Sequence, residues 1–247
     1  MFWRRRGGCI NIAVPLIIGS IFLGMALYLW LVAAPDQDNE ASHIEGLPGT
    51  SLAQYTDLPA GTEVAIRVML VNNMTLTDDF YDVRTYELVA YKVDEWNVTT
   101  DSEGDESGKW HTISHNIPSL TFQFEDAQYT LIREQRGAGL SFSGDLYEFL
   151  QRSASGKEAS YDGEKLRDGS HRIRGFRDGD TVTVVGTRTA QGDVIPTRLH
   201  GGDRQSLVDD IRGEAHQARL VGGLFGCVGG VMLLWLVWGV RSLLRGR

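Results

Sequence analysis

Two long apolar runs bracket the chain. From Ile10 to Ala34 there is no charge, and only Asn11 and Ser20 are clearly polar. As a helix this run is about 37 Å long at the α-helical rise, more than the roughly 30 Å of a bilayer core. In lipid a backbone must satisfy its own hydrogen bonds, which makes the run a helix. Pro15 sits near its start, where a missing N–H costs least, and Tyr28 and Trp30 stand near its far end as interfacial anchors. Leu220 to Val240 is a second uncharged run, about 31 Å as a helix, closed by Trp235 and Trp238. A cleaved signal peptide is the alternative for the first run, with Arg4, Arg5 and Arg6 as its n-region and Val32-Ala33-Ala34 as its cleavage site. An h-region spans only about 7–15 residues, and Pro35 would follow the cut directly, so a retained membrane helix is expected. Cys9 precedes the run and is not a lipoprotein cysteine.

Between the runs the period changes. Pro35 to Ala60 is polar and reads as a linker lifting a domain off the membrane. Val64, Ile66, Val68 and Leu70 alternate along Thr62–Leu70, the pattern of a half-buried strand. Asn72-Asn73 predicts a turn, Val83–Val93 a long strand, and the acidic Asp94–Gly108 stretch a loop. Lys109–Ser114, Ser119–Phe124 and Gln128–Arg133 read as three strands, with Pro118 breaking between the first two. Asp145 is placed to cap a short helix, Leu146–Arg152, and Ser153–Gly169 reads as a polar loop. Asp178-Gly179-Asp180 predicts a tight turn with positive φ at Gly179, feeding the β-branched strand Thr181–Thr187. Asp193–Leu199 is the last strand. Ser206–Arg219 is a polar helix that carries Leu207, Val208 and Ile211 and runs into the second span.

The expected fold class is therefore a membrane protein in which two transmembrane helices flank a mainly β, small-barrel (α+β) extracytoplasmic domain. The divisions are a basic tail at 1–9, a span at 10–34, a linker at 35–60, the β domain at 61–204, a juxtamembrane helix at 205–219, a span at 220–240 and a second basic tail at 241–247.

Charge orients this arrangement. All 32 acidic residues lie between Asp36 and Glu214, while six of the 24 basic ones lie in the two tails. The intervening segment keeps 18 basic residues, a net charge of −14. Basic tails are retained inside, so both termini are expected in the cytoplasm and the domain outside a plasma membrane. Arginine outnumbers lysine 20 to 4, a bias that a GC-rich genome produces and a salt-adapted acidic surface would share. An acidic exterior without a basic stripe argues against nucleic acid as a partner. Only Cys9 and Cys227 are present, and helix rise separates them by roughly 20 Å along the membrane normal, too far for a disulfide.

Candidate chemistry is sparse. His111 and His115 are four apart, a chelating interval on a helix but not on the strand expected there; His43, His171, His200 and His216 are scattered. Asp101, Glu103, Asp105 and Glu106 alternate in a loop that calcium would fit, but they lack the EF-hand order and read as a solvated acidic loop. No Gly-x-Ser-x-Gly elbow exists, and Ser141-Phe-Ser-Gly does not match one. No catalytic residue, cofactor or metal site is nominated. Asn73-Met-Thr and Asn97-Val-Thr are glycosylation sequons wherever that machinery exists. Gly222, Gly226 and Gly230 repeat every four residues in the second span, as Ser20 and Gly24 do in the first, a spacing that lets helices approach closely within one chain or between copies.

The order of the pieces resembles the GIDE/MULAN family and its BAM ("beside a membrane") domain. The resemblance covers Gly61 to Val240: Thr62-Glu-Val-Ala-Ile-Arg-Val, Tyr86-Glu-Leu-Val-Ala-Tyr-Lys-Val, Trp110 before Leu120-Thr-Phe-Gln-Phe-Glu-Asp, Leu146-Tyr-Glu-Phe-Leu, Phe176-Arg-Asp-Gly-Asp-Thr-Val-Thr-Val-Val-Gly, and a span after a polar helix. Members place this domain between two membrane helices. Eukaryotic members add a zinc-binding RING with ubiquitin-ligase activity. This sequence ends seven residues after its second span and has two cysteines, so that activity is not expected, and the likeness is to a prokaryotic, RING-less form. It implies an interaction or scaffold protein touching the lipid bilayer and another membrane or envelope protein, with self-association through the second span open. The alternative is a membrane-bound hydrolase of envelope material.

Overall fold

A computed structural model describes residues 7–48, 51–132 and 140–245. Arg4 to Arg6, Arg133 and Arg247 lie outside the described residues, as does the side chain of Cys9. The chain divides into two compact units, a first made of Met1–Glu45 with Val208–Arg247 and a second, Gly46–Leu207.

The first unit opens with α1 (Gly7–Tyr28), a π-helical turn at Leu29–Ala33 and α2 (Ala34–Gly46). The stretch Pro35–Ala60, expected as a linker, thus begins as helix and later holds the short α3 (Leu52–Asp57). Ser51 caps α3 by accepting from the Gln54 N–H, an N-cap that the polar composition hid. The strands follow as β1 (Glu63–Leu70), β2 (Leu88–Thr100), β3 (Glu106–Asn116), β4 (Leu120–Phe124), β5 (Ala127–Leu131), β6 (Ser141–Gly144), β7 (Tyr147–Gln151), β8 (Glu158–Tyr161), β9 (Glu164–Arg167), β10 (Ser170–Arg177), β11 (Thr181–Arg188) and β12 (Val194–Gly201); α4 (Arg204–Arg245) ends the described chain.

Five of the strands close a small barrel. β1 lies antiparallel between β4 and β11, β4 pairs with β5, and β11 pairs with β12. A parallel contact of Val194 with Leu131 joins β12 to β5 and completes the ring. The cyclic order β1-β4-β5-β12-β11 with one parallel seam is the connectivity of a five-stranded Greek-key barrel of the OB type. Val64, Ile66, Val68 and Leu70 of β1 point inward, as their alternation requires, against Phe122, Val182, Val184 and Leu199. Tyr55 of α3 closes one end, its hydroxyl donating to the Gly192 carbonyl and its ring set against Phe124 and Tyr129.

Between β1 and β4, and again between β5 and β11, the chain leaves the barrel to build a second antiparallel sheet in the order β3-β2-β10-β7. Val89, Ala90 and Phe176 of this sheet are buried in the barrel's own core cluster. The turn Asp178-Gly179-Asp180 therefore carries the chain from the second sheet into the barrel, not between two barrel strands. Gly179 has φ +90°, and its N–H donates to the Leu70 carbonyl at 2.7 Å.

The long strand expected at Val83–Val93 begins only at Leu88 and runs on to Thr100, and three further segments differ in type from the sequence reading. Leu146–Arg152, expected as a helix, is strand β7 paired along its whole length with β10; so short a segment does not nucleate a helix alone, and β10 offers a ladder. Asp94–Gly108, expected as a loop, is mostly β-hairpin, with the turn at 101–105 pinned where Asp101 Oδ1 accepts from the Glu103 and Asp105 N–H groups. Ser153–Gly169 contains the hairpin β8–β9, turned on Asp162-Gly163 with φ +49° and +80°, an Asp-Gly signal that the polar surroundings masked.

In the helical unit, Val14–Gly46 and Arg204–Trp238 are long and apolar enough to cross a membrane. Phe22 and Phe225 meet edge-on at 5.4 Å, and Trp30 Nε1 donates to the Arg219 carbonyl at 2.9 Å. Beyond the apolar stretch Arg212 pairs with Glu45 at 2.7 Å, and Arg219 pairs with Asp38.

Candidate binding groove

The irregular segment between β1 and β2 folds over one face of the second sheet because it carries the apolar residues that face needs. Leu76, Tyr81, Val83 and Tyr86 pack against Tyr91, Val93, Ile173 and Phe149. Asp78 fixes its shape: Oδ1 accepts from the Phe80 N–H at 2.8 Å and the Tyr81 N–H at 3.2 Å, an Asx turn, and Oδ2 accepts from the Tyr91 hydroxyl. Burial works to raise the Asp78 carboxyl, but the Tyr91 hydroxyl and the two N–H groups outweigh it and hold the acid below its usual range. The Tyr91 phenol is pushed up to about 12, by burial first and then by Asp78.

Between this segment and β7 lies a groove of about 600 Å³, lined on one side by residues from Thr77 to Tyr86 and on the other by Phe149, Leu150 and Gln151. Tyr86 stacks on Phe149 with ring centroids 3.8 Å apart. Phe80 is 82% exposed at the lip, a large apolar surface left to water. Asp78, Asp79 and Asp82 give the lining three carboxylates against the single guanidinium of Arg84. Next to it Arg177 lies over the Tyr147 ring at 3.5 Å and donates from Nε to the Tyr86 carbonyl at 2.8 Å.

The opposite face of the sheet holds a buried ion cluster. Asp94, 2% exposed, accepts from Thr112 Oγ1 at 2.7 Å and pairs with Arg172 at 3.0 Å and Arg174 at 2.5 Å. Burial opposes ionisation there, yet the Thr112 bond and the two arginines outweigh it and keep the carboxyl low. Lys92, two residues earlier, donates to the Phe142 carbonyl at 2.7 Å; burial first, then Arg174, pushes its amine down to about 8. Arg172 also lies over the Trp110 ring at 4.6 Å. One carboxylate among three cationic side chains leaves the cluster with excess positive charge, and its bonds tie β2 to β10 and β3.

A third polar group joins the barrel to the start of α4. His200, 1% exposed, stands 3.1 Å from Ser143 Oγ through Nδ1 and 3.0 Å from Ser206 Oγ through Nε2. A Cβ on Gly144 would fall 2.6 Å from its ring, so the imidazole is walled in.

The residues singled out in the sequence fall elsewhere. A Cβ on Gly222 would overlap the Trp30 ring, one on Gly226 would meet Ala26 Cβ at 3.7 Å, and Gly230 and Gly24 have nothing within 4 Å among the described residues. Ser20 is exposed. Besides Gly222, a close approach of backbones involves Gly229, where a Cβ would sit 3.0 Å from the Gly19 carbonyl oxygen. Asp178 Oδ1 accepts from the Asn73 N–H at 2.9 Å, and Asp180 Oδ2 accepts from the Arg177 N–H at 2.7 Å. His111 pairs with Glu95 and His115 with Lys92, because the ladder shifts by one between Val93 and Asp94; the bulge puts the two histidines on opposite faces. Among the described residues no three His, Cys, Asp or Glu side chains are placed to share a metal ion.

The groove was missed in the sequence. Its signal was Asp78-Asp79-Phe80-Tyr81-Asp82, two aromatics set between acids in a stretch without strand periodicity. Compared with family models, with curated proteins and with solved structures, the chain finds no match.

Proposed function

We propose that the chain is a membrane-anchored binding protein of the GIDE type, whose β domain scaffolds another membrane or envelope protein outside the plasma membrane. The reading rests on the open groove, where an exposed aromatic lip adjoins carboxylates. Of these, Asp78 is held ionised by its hydrogen bonds. A general acid at neutral pH needs a carboxyl raised toward 7, and Asp78, Asp94 and Asp203 are all shifted the other way. The Ser143–His200–Ser206 chain has hydrolase-like residue types, but its buried imidazole leaves no room for a substrate. Two apolar helices flanking a β domain, with basic residues at both chain ends, support the family resemblance and the orientation with both termini in the cytoplasm.

The test is photo-crosslinking in native membranes. A benzoylphenylalanine at position 80 is expected to give one discrete adduct, and the same group at Thr99, on the exposed far end of β2, none. Equal labelling from both positions, or none from position 80, would remove the groove as the binding site.

A further inference from the structure

We infer that the groove, with the free edge of β7 beside it, holds an extended segment of a partner protein and receives an arginine side chain of that segment. The inference rests on the binding reading above and adds the class of ligand. Phe149, Leu150 and Gln151 all touch the groove. Successive side chains of a strand point to opposite faces, so a groove touched by three in a row passes along the strand's outer edge. β7 pairs with β10 on one side, and among the described residues no strand pairs with the other. Unpaired N–H and C=O groups on such an edge are a template for an added strand. The opposite edge of the same sheet, β3, is blunted by the bulge opposite Val93 and Asp94 and carries Lys109; β7 has neither device.

The lining selects the side chain. Three carboxylates against one guanidinium call for a cation, and the spread of acidic groups gives no metal cage among the described residues. Phe80, Tyr81, Tyr86 and Phe149 add aromatic surface, which suits a flat organic cation. A guanidinium stacks on rings and forks onto carboxylates, whereas an ammonium does only the second and holds its water more tightly. The neighbouring surface already accepts one such group: Arg177 on Tyr147.

The experiment uses the full chain in lipid nanodiscs and the labelled peptide acetyl-Thr-Val-Arg-Val-Thr-amide, with two controls, arginine replaced by citrulline and alternate amides N-methylated. The arginine peptide is expected to bind at least about tenfold more tightly than the citrulline one, the size of a single charge-assisted contact. The paired substitution Asp79→Asn and Asp82→Asn should remove that difference at unchanged Tm, and N-methylation should weaken binding several-fold. Equal binding of arginine and citrulline peptides, or full binding to the Asn pair, overturns the arginine assignment; indifference to N-methylation overturns strand addition. A discrete adduct from position 80 that persists while the arginine peptide fails to bind would sink the ligand class alone. Loss of that adduct would sink the binding reading itself.

Discussion

Asp94 and Gly179 show what single residues decide. Asp94 accepts from Thr112 and two arginines at 2% exposure. Removing one partner of a buried ion pair leaves the others uncompensated, at about 3–5 kcal/mol. Asp94→Asn should therefore lower the Tm of the full chain sharply, by far more than Thr112→Val, which deletes one hydrogen bond of about 1 kcal/mol. Because the folded carboxyl lies below its unfolded value near 3.9, its contribution is complete above about pH 4 and is lost as pH falls through the folded pKa. The wild-type-minus-Asn stability difference should shrink between pH 5 and strongly acidic pH; a constant difference would argue against the ionised cluster. Gly179 has open space around it, so Gly179→Val meets no clash and should cost about 1–3 kcal/mol through positive φ alone. Gly179→Asn should recover much of that loss, since Asn tolerates this region. An unchanged Tm in the Val variant would contradict the turn.

At the scale of elements, the helix pair in the first unit meets through small residues and one aromatic lock. Gly229 lies where a Cβ would crowd the backbone of α1, while Gly230 faces open space. In a background lacking native cysteines, Phe22→Cys and Phe225→Cys should form a disulfide on oxidation. Gly229→Leu should abolish that cross-link and Gly230→Leu should not; equal effects would mean that the glycines are compositional. The Trp30 ring occupies the space left by Gly222, and its N–H reaches the Arg219 carbonyl. The π-helical turn at Leu29–Ala33 sits at the same level, and such turns re-aim side chains within a helix.

At the scale of the whole molecule, the proposed orientation rests on basic ends and an acidic centre. On intact cells a cysteine at Glu103, in the exposed β2–β3 turn, should react with an impermeant thiol reagent, and one at Gly246 should not. The reverse labelling would invert the topology and take the groove away from envelope partners. The acidic domain should also stay soluble and monodisperse at low salt, as its net charge keeps copies apart.

Much of the architecture was legible because it depends on local pattern. The two apolar runs had only one solution in lipid, and alternation in Val64, Ile66, Val68 and Leu70 fixed which face of β1 is core. Gly179 announced its turn because few residues tolerate that φ. What local pattern could not carry is pairing. Leu146–Arg152 became a strand only because β10 lay beside it, and the strand expected at Lys109–Ser114 extends to Glu106–Asn116 only because β2 runs alongside it. The Asp94 cluster joins residues 18 to 80 apart in sequence, and the groove joins the Thr77–Tyr86 segment to β7. Chain order says nothing about such neighbours. Two apolar helices, the acidic β domain between them and the inward face of its first strand follow from residue order alone, because sterics and solvent act on each residue where it stands. Barrel closure, the glycines that touch the partner helix and the meeting of acids with aromatics emerge only on folding, because they depend on which distant elements find one another.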